Sequence, residues 1–177
     1  MKTSQGHIIL ADHRERKILD FPHPEIQAVR KCHLPVGDYC VIFSDGFQLA
    51  VVFERKSVGD LFGTLLGGYE KFKREINRAE TAGVQLIIVV EGTYTKISKG
   101  LTRTNFRNPK GPKIHWSGIR IIRTLFSLWA RYGVVSVFCK DREEMQDFIV
   151  EFYLAIWRKR RERKVAKRRV IILRRMK

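Results

Sequence analysis

Strand-like and helix-like patterns of apolar residues follow one another along most of the chain. Five apolar runs have the length of strands, at residues 6–11, 39–43, 47–53, 84–90 and 134–139. Three longer segments carry apolar residues at three- and four-residue spacing and are predicted helices, at residues 57–82, 116–132 and 141–156. Two prolines in segment 17–31 predict a short turn or helix there. This order predicts an α/β domain with a mixed central sheet flanked by helices.

Two of the predicted helices have features that bear on packing. Gly63, Gly67 and Gly68 weaken the first helix, because glycine costs roughly 1 kcal/mol against alanine in a helix interior, and they suggest a kink or the close approach of another backbone. The inner face of the second helix is predicted to consist of Ile119, Ile122, Phe126 and Trp129.

The second and third apolar runs flank the turn residues 44–46 and predict a β-hairpin. Residues two apart in a strand share a face, so Glu54 and Lys56 should project to the same side. Asp38 precedes the first strand of the hairpin, and antiparallel pairing can therefore bring its carboxylate beside that of Glu54. Two carboxylates suit a hard divalent cation, and an ammonium can orient or polarise water. The combination indicates phosphodiester hydrolysis.

Each of these residues also has an ordinary structural interpretation. Asp38 stands in a Gly-Asp pair of the kind found in turns. Asp60 follows Ser57 at the spacing of a helix capping box. An acid and a lysine two apart in a strand usually lie on a solvated face. The position of Glu54 and Lys56 directly after an apolar run favours a functional site instead.

Gly37-Asp38, Glu54-Arg55-Lys56 and Asp60 together resemble the Gly-Asp…Glu-Arg-Lys-X-X-X-Asp signature of the XPF-type structure-specific DNA endonucleases. That family is a branch of the PD-(D/E)XK, or restriction-endonuclease-like, superfamily. Further blocks occur in the family's order. Residues 8–15 are similar to the family's opening strand, which ends in Asp-X-Arg-Glu. Residues 34–39 are similar to its Leu-X-Val-Gly-Asp-Tyr motif, and residues 89–92 to its Val-Glu-Gly motif. The resemblance covers roughly residues 7–155.

The resemblance implies a single nuclease domain, residues 1–157, with the restriction-endonuclease-like fold and metal-dependent DNA endonuclease activity. In that role, Asp38 and Glu54 bind Mg²⁺ or Mn²⁺ with help from the backbone carbonyl of Arg55, and Lys56 positions the water. Asp60 orients the signature or an arginine. No small-molecule cofactor is expected.

Other residues are expected around this site. Asp12 ends the first predicted strand and could lie near the metal, or it could instead pair with Arg14 or Arg16. Arg14 and Arg55 are expected to contact DNA. Glu91 ends a predicted buried strand and is a candidate neighbour of the site.

Family members of the archaeal and eukaryotic type tend to carry a glutamine in the helix after the signature, and residues 68–75 contain none. This region looks more like the short bacterial and phage members. The chain also leaves no room for a helix-hairpin-helix domain.

The segment from residue 92 to 115 is polar, basic and long for a loop in a compact domain. It is predicted to be mobile without DNA and to contact the phosphate backbone when DNA is bound. Its six cations have no nearby acid, namely Lys96, Lys99, Arg103, Arg107, Lys110 and Lys113.

The net charge of +17 and the pI near 10.3 indicate an acidic partner, with nucleic acid the leading candidate. An anionic membrane is the alternative, but no apolar stretch approaches the length of a membrane span and no signal peptide is recognisable. Three cysteines without metal-site spacing indicate reduced thiols in a cytoplasmic protein. The five histidines show no paired spacing either, so a zinc site is not expected.

The tail, residues 158–177, carries twelve basic side chains and one acid, and is predicted to be a nucleic-acid arm. The last two helices hold more apolar residues than one core needs, namely Leu125, Leu128, Tyr153, Leu154 and Trp157. In the family that the chain resembles, the corresponding surface serves dimerisation, so a homodimer is expected. The substrate expected for an endonuclease of this family is branched or junction DNA. Two alternatives remain: a non-catalytic DNA-binding subunit of the same fold, and a basic architectural nucleic-acid-binding protein.

Overall fold

A computed structural model describes residues 6–103 and 115–175 of the chain. The strands are β1 His7–Asp12, β2 Ile26–Cys32, β3 Tyr39–Ile42, β4 Val51–Ser57, β5 Gln85–Glu91, β6 Leu101–Arg103, β7 His115–Ser117 and β8 Val135–Cys139. The helices are α1 Val58–Leu66, α2 Tyr69–Thr81, α3 Tyr94–Ser98, α4 Gly118–Tyr132 and α5 Arg142–Arg175. No helix within these ranges is long and apolar enough to cross a bilayer.

Six of the strands form one mixed sheet in the order β2-β1-β3-β4-β5-β8. β1 and β2 are parallel, and so are β4, β5 and β8, whereas β3 runs antiparallel to both of its neighbours, β1 and β4. The predicted α/β class with a mixed sheet is confirmed. The carboxyl ends of the parallel strands therefore meet at one edge of the sheet, which we call the carboxyl edge.

Helices cover both faces of this sheet. One core lies between the sheet and α1, α2, α3 and α4, and the other lies between the sheet and α5 together with the segment around Leu19 and Phe21. The apolar residues that seemed to exceed the needs of one core are buried in these two cores. The argument for a dimer from those residues was therefore wrong, because the chain has two cores to fill.

β2 corrects the prediction of a turn or helix within segment 17–31. Its residues pair in parallel register with β1, from Ala28 opposite Ile8 to Cys32 opposite Asp12. β2 is the edge strand of the sheet and none of its residues is fully buried. Such a strand has no apolar run or alternation that a pattern of residues could reveal.

The helix predicted over residues 57–82 is two helices, α1 and α2. The amides of Gly67 and Gly68 both donate to the carbonyl of Gly63, which closes α1, and α2 begins at Tyr69. The glycines thus end a helix rather than kink one.

The predicted inner face of α4 is wrong at three of its four positions. Ile119, Phe126 and Trp129 are 38%, 51% and 59% exposed. The core side of α4 is instead formed by Gly118, Ile121, Ile122, Leu125 and Leu128. Both faces of α4 carry apolar residues at helical spacing, so periodicity could not decide between them.

The long loop predicted from residue 92 to 115 contains regular structure in its described part. α3 follows β5, with Thr93 capping its first turn through the amide of Lys96. β6 and β7 then pair as a small antiparallel sheet. Arg107, Lys110 and Lys113 lie outside the described residues, as does the side chain of Arg103.

Gly37 has φ +71°, and a Cβ at this position would lie 3.0 Å from the Val52 side chain. We expect Gly37→Ala to lower the free energy of unfolding by about 1–3 kcal/mol, because it adds backbone strain and a tight contact. Thermal or denaturant unfolding measures the loss. Gly46→Ala is the matched control, since Gly46 has φ +79° but no atom within 4 Å of its Cβ position. An equal loss in both variants would show that the contact with Val52 is unimportant.

Candidate active site

The β3–β4 hairpin places Asp38 at the carboxyl edge. Tyr39 pairs with Phe53, and the Asp38 amide donates to the Phe53 carbonyl at 2.7 Å. The Asp38 carboxylate accepts a hydrogen bond from the Arg55 amide at 2.8 Å. The predicted hairpin is confirmed, although its second strand begins at Val51 and continues through Ser57.

Glu54 and Lys56 project from β4 to the same side, as predicted. The Lys56 ammonium contacts the Glu54 carboxylate, and Glu54 is only 6% exposed. The Lys56 ammonium also lies over the Phe72 ring, 5.8 Å from its centroid. The strand thus holds an acid and an ammonium in fixed contact.

The pKa values of Asp38, Glu54 and Lys56 all differ from their ordinary values. Burial, and then the neighbouring Glu54 carboxylate, raise the pKa of Asp38 well above its ordinary value. Burial also raises the pKa of Glu54, with Lys56 acting against it. Burial opposes the charge of Lys56, but its two carboxylate neighbours outweigh this, so the pKa of Lys56 is raised and the ammonium keeps its proton.

These residues suit a divalent cation. Asp38 and Glu54 supply carboxylate oxygens, which hard cations prefer, and one ammonium does not neutralise both carboxylates. Both carboxyls resist ionisation in the metal-free protein, so a bound cation would supply the positive charge that they lack. The donor set therefore fits Mg²⁺ or Mn²⁺.

We expect the metal-free protein to lose stability as pH rises. The loss should begin at about pH 4, where carboxyl groups ordinarily ionise, and continue until the pH has passed the raised pKa values of Asp38 and Glu54. In that window the folded state binds more protons than the unfolded state, so raising pH favours unfolding. Unfolding measured in EDTA across pH should show a flatter profile for Asp38→Asn than for the unsubstituted protein. Identical profiles would contradict the burial of an ionisable pair.

A cleft of about 360 Å³ opens beside these groups at the carboxyl edge. It is lined by Asp38, Glu54, Arg55, Lys56, Ser57 and Asp60 and by the segment Arg14, Glu15, Arg16 and Lys17. The structure therefore brings the predicted hairpin residues together in one accessible place.

Asp60 is in this cleft but acts as part of a helix cap. The Ser57 hydroxyl donates to the Asp60 carboxylate at 2.6 Å, and the Asp60 amide donates back to that hydroxyl at 3.1 Å. Ser57 is the N-cap of α1. The capping interpretation thus describes the contacts of Asp60, and among the described residues its side chain pairs with no arginine.

Asp12 is buried at the end of β1 and is committed to Arg14. Its carboxylate accepts from the Arg14 amide at 2.8 Å and from Arg14 Nε at 2.7 Å, and from the Leu34 amide at 2.7 Å. Burial opposes ionisation, but these hydrogen bonds outweigh it and hold the pKa of Asp12 far below its ordinary value. The pairing with Arg14 is the arrangement that the structure contains.

His13 and His33 lie together, although the histidines show no paired spacing in the sequence. They follow the paired strands β1 and β2, with ring centroids 5.6 Å apart, and offer ligand atoms within 4.8 Å of each other and of Asp12. Only the parallel pairing of two strands brings them together, so their spacing along the chain could not reveal it. The oxygens of Asp12 are already occupied by Arg14 and Leu34.

The side chain of Arg55 is 9% exposed. Its guanidinium binds the Glu91 carboxylate at 2.7 Å and lies 3.8 Å from that of Glu15. The contact of Arg55 with DNA stays a prediction, and Glu91 is a neighbour of the site as suggested. Arg14 lines the cleft and remains 58% exposed.

Glu75 is a neighbour of the site that the sequence pattern did not reveal. It is on α2 and lines a second cleft, of about 570 Å³, together with Glu54, Lys56 and Asp60. Its negative charge contributes to the raised pKa values of Glu54 and Lys56. The end of α1 at Gly67 sets how α2 faces β4, and helical spacing alone could not predict that.

Lys96 and Lys99 are exposed on α3 and just after it. α3 follows the carboxyl end of β5, so both lysines lie at the same edge of the sheet as the cleft. Their contact with DNA remains a prediction.

Comparison with known proteins agrees with this architecture. Residues 11–152 match the ERCC4 domain family. The fold is similar to that of XPF from Aeropyrum pernix, with a TM-score of 0.56 and 20% identity over 94% of this chain and 72% of that one. It is also similar to XPF from Aeropyrum pernix in complex with DNA, with a TM-score of 0.54 and 20% identity over 86% of this chain and 65% of that one. No curated protein sequence matches significantly.

The chain thus spans 72% and 65% of the two XPF structures, and at this identity they show a shared fold. The family match is independent of them and spans most of the chain. It confirms the resemblance to the XPF-type nucleases that the Glu54-Arg55-Lys56 signature indicated. The chain belongs to the ERCC4 domain family, a family of DNA nucleases.

Proposed function

We propose that this protein is a metal-dependent DNA endonuclease that hydrolyses phosphodiester bonds in branched or junction DNA. The observation that carries the proposal is a pair of carboxylates beside an open cleft, a buried Glu54 in contact with Lys56 and a half-buried Asp38. One of the similar structures is described as a complex with DNA, which supports the same substrate here. Such an activity would serve DNA repair or recombination.

The carboxylates of Asp38 and Glu54 would hold Mg²⁺ or Mn²⁺, with the backbone carbonyl of Arg55 as a further oxygen donor. When bound, the ion supplies a Lewis acid beside the scissile phosphate. The hydrogen bond from the Arg55 amide fixes the orientation of Asp38 before any cation arrives. We propose that Asp12 acts indirectly, by holding Arg14 at the wall of the cleft.

Lys56 would act as a proton-bearing group. Because its ammonium keeps its proton and has no free lone pair, it cannot remove a proton from water. It can donate hydrogen bonds, which orient the attacking water and stabilise negative charge on the phosphate oxygens. Its contact with Glu54 and the position of its ammonium over the Phe72 ring keep it in place for that task.

Two alternatives are less well supported. A non-catalytic subunit of the same fold would have no need of a buried, ionisable carboxylate pair, which costs stability without a cation. An architectural protein that binds through its basic tail would need no cleft at the carboxyl edge. Neither explains why Asp38, Glu54 and Lys56 meet in one place.

The decisive experiment is a cleavage assay on flap, fork, nicked, single-strand-junction and linear DNA with Mg²⁺, Mn²⁺ or EDTA. We expect cutting of at least one branched DNA with either metal and none in EDTA. Cutting that persists in EDTA would contradict the role of a cation. Binding without cutting of any substrate under all metal conditions would support the non-catalytic alternative.

We further propose a homodimer formed through the exposed face of α4. Ile119, Phe126 and Trp129 share that face, since they are seven and three residues apart, and together they expose a stripe of large apolar side chains. Phe126→Glu with Trp129→Glu should give a monomer with unchanged folding, because neither side chain is in the core. Sedimentation or light scattering measures the change. An unsubstituted protein that is monomeric at high concentration would refute the dimer.

A further inference from the structure

The C-terminal half of α5 projects beyond the edge of the sheet opposite the carboxyl edge. Trp157 marks the point where α5 reaches that far edge, because its ring packs on Phe43 and His7, with centroids 5.1 and 5.0 Å away. The helix continues from there to Arg175 without interruption. At 1.5 Å per residue, residues 158–175 extend it by about 27 Å. The basic half is thus an extension of a core helix.

The β3–β4 turn holds the first turns of this basic half. The Asp45 carboxylate accepts a hydrogen bond from Arg160 Nε at 3.4 Å and contacts the Lys164 ammonium one turn further along. The Arg160 guanidinium lies 3.6 Å from the centroid of the Phe47 ring. The turn therefore fixes the direction in which the helix leaves the domain.

A groove of about 710 Å³ runs along this contact. Its apolar walls are Phe47, Ala155 and Ile156. Its cations project from successive turns of one helix face, namely Lys159, Arg160, Arg163 and Lys164. Asp45 engages two of them, and Lys159 meets Glu162 on the exposed surface. In the described part of the chain Arg163 pairs with no acid.

We propose that this groove is a second DNA-binding surface, which holds the phosphate backbone without reading bases and so deepens the nuclease function proposed above. Cations at helical intervals on a positioned helix suit a line of phosphates, and each contact releases condensed counterions. A membrane is less suitable as the partner. Among residues 158–165 the one apolar side chain is Val165, so this part lacks the apolar face with which amphipathic helices enter a bilayer.

The groove is well separated from the cleft. Asp38 and Asp45 lie at opposite ends of the β3–β4 hairpin, seven residues apart, which is about 20 Å of extended chain. A duplex rises 3.4 Å per base pair, so a DNA that reaches both surfaces would extend about six base pairs from one to the other. The groove would hold a duplex arm away from the cut.

The test is equilibrium binding of a duplex of about 20 base pairs to the full chain in EDTA, followed over a range of salt concentrations. Lys159→Ala with Arg163→Ala removes two groove cations and keeps the Asp45 contacts. We expect the slope of log affinity against log salt to become shallower by about 2, with an affinity loss on the order of tenfold. Arg123→Ala with Arg131→Ala is the control of equal charge, on exposed positions of α4.

A slope equal in both double variants would overturn the proposal. So would binding of anionic phospholipid vesicles that depends on Lys159 and Arg163 while DNA binding does not. The nuclease function is tested separately by cutting. DNA binding that depends on the groove in a protein that never cuts would refute the nuclease and leave this surface standing. A protein that cuts DNA but whose affinity for DNA does not depend on the groove would refute this surface and leave the nuclease function standing.

Discussion

Replacement of Glu54 by glutamine should reduce DNA cleavage by about a thousandfold or more, which corresponds to roughly 4 kcal/mol of lost transition-state stabilisation. Glutamine keeps the shape of the side chain but removes one of the two anionic groups that would bind the cation. Single-turnover cleavage of the preferred substrate measures the loss, and Mn²⁺ binding should weaken in parallel.

The same variant should fold at least as well as the unsubstituted protein in the absence of metal. Burial already disfavours the charge on Glu54, so a neutral side chain removes an unfavourable interaction with Asp38. DNA binding in EDTA should be retained. Glu80→Gln, at an exposed position of α2, is the control and should cut normally. Substantial cleavage by purified Glu54→Gln protein would rule out the proposed site.

Replacement of Lys56 by methionine should lower the cleavage rate by about 10²- to 10⁴-fold, the usual range for a group that assists proton and charge movement. Methionine keeps much of the aliphatic side chain but removes the ammonium that lies over the Phe72 ring. Unlike Glu54→Gln, this variant should keep or increase its affinity for Mn²⁺, because a competing positive charge has gone. Comparing metal binding with cleavage separates the two roles.

Two further substitutions make this result specific. Lys56→Arg keeps the charge but spreads it over a larger planar group. Compared with Lys56→Met, it should therefore recover more of the stability of the metal-free protein than of the cleavage activity. Lys31→Met, at an exposed position of β2, should leave cleavage unchanged. A Lys56→Met protein that cuts at the normal rate would mean that the ammonium serves only to neutralise Glu54.

The sequence predicts the centre of the site well because that centre is local. Asp38 and Glu54 are joined by one short hairpin, and the period of a strand puts Lys56 beside Glu54. The strands β5 and β8 are equally visible, since their apolar runs need no partner to be recognised. The family signature adds the sheet order that local patterns cannot supply.

Features that depend on the packing of distant elements could not be predicted. Glu75 reaches the site because α1 ends at Gly67 and α2 turns toward β4. His13 and His33 meet through the pairing of β1 with an edge strand that has no apolar run. In each case the sequence contains the residues but not the three-dimensional relation between them.

The sequence pattern also could not predict which face of α4 is exposed. Phe126 and Trp129 have the spacing of core residues, and only the position of the sheet decides that Leu125 and Leu128 are the buried ones. A helix with two apolar faces has two acceptable orientations by pattern alone. Tertiary contacts select one of them.

The continuity of α5 across Trp157 has a consequence for where cuts would fall. A flexible arm could hold DNA at any distance from the cleft, whereas a helix rooted in the core and braced by Asp45 holds it at one distance. The protein would then act as a ruler, and its incisions would lie at a constant offset from the bound arm. Breaking the brace should broaden the distribution of cut positions without slowing the chemistry.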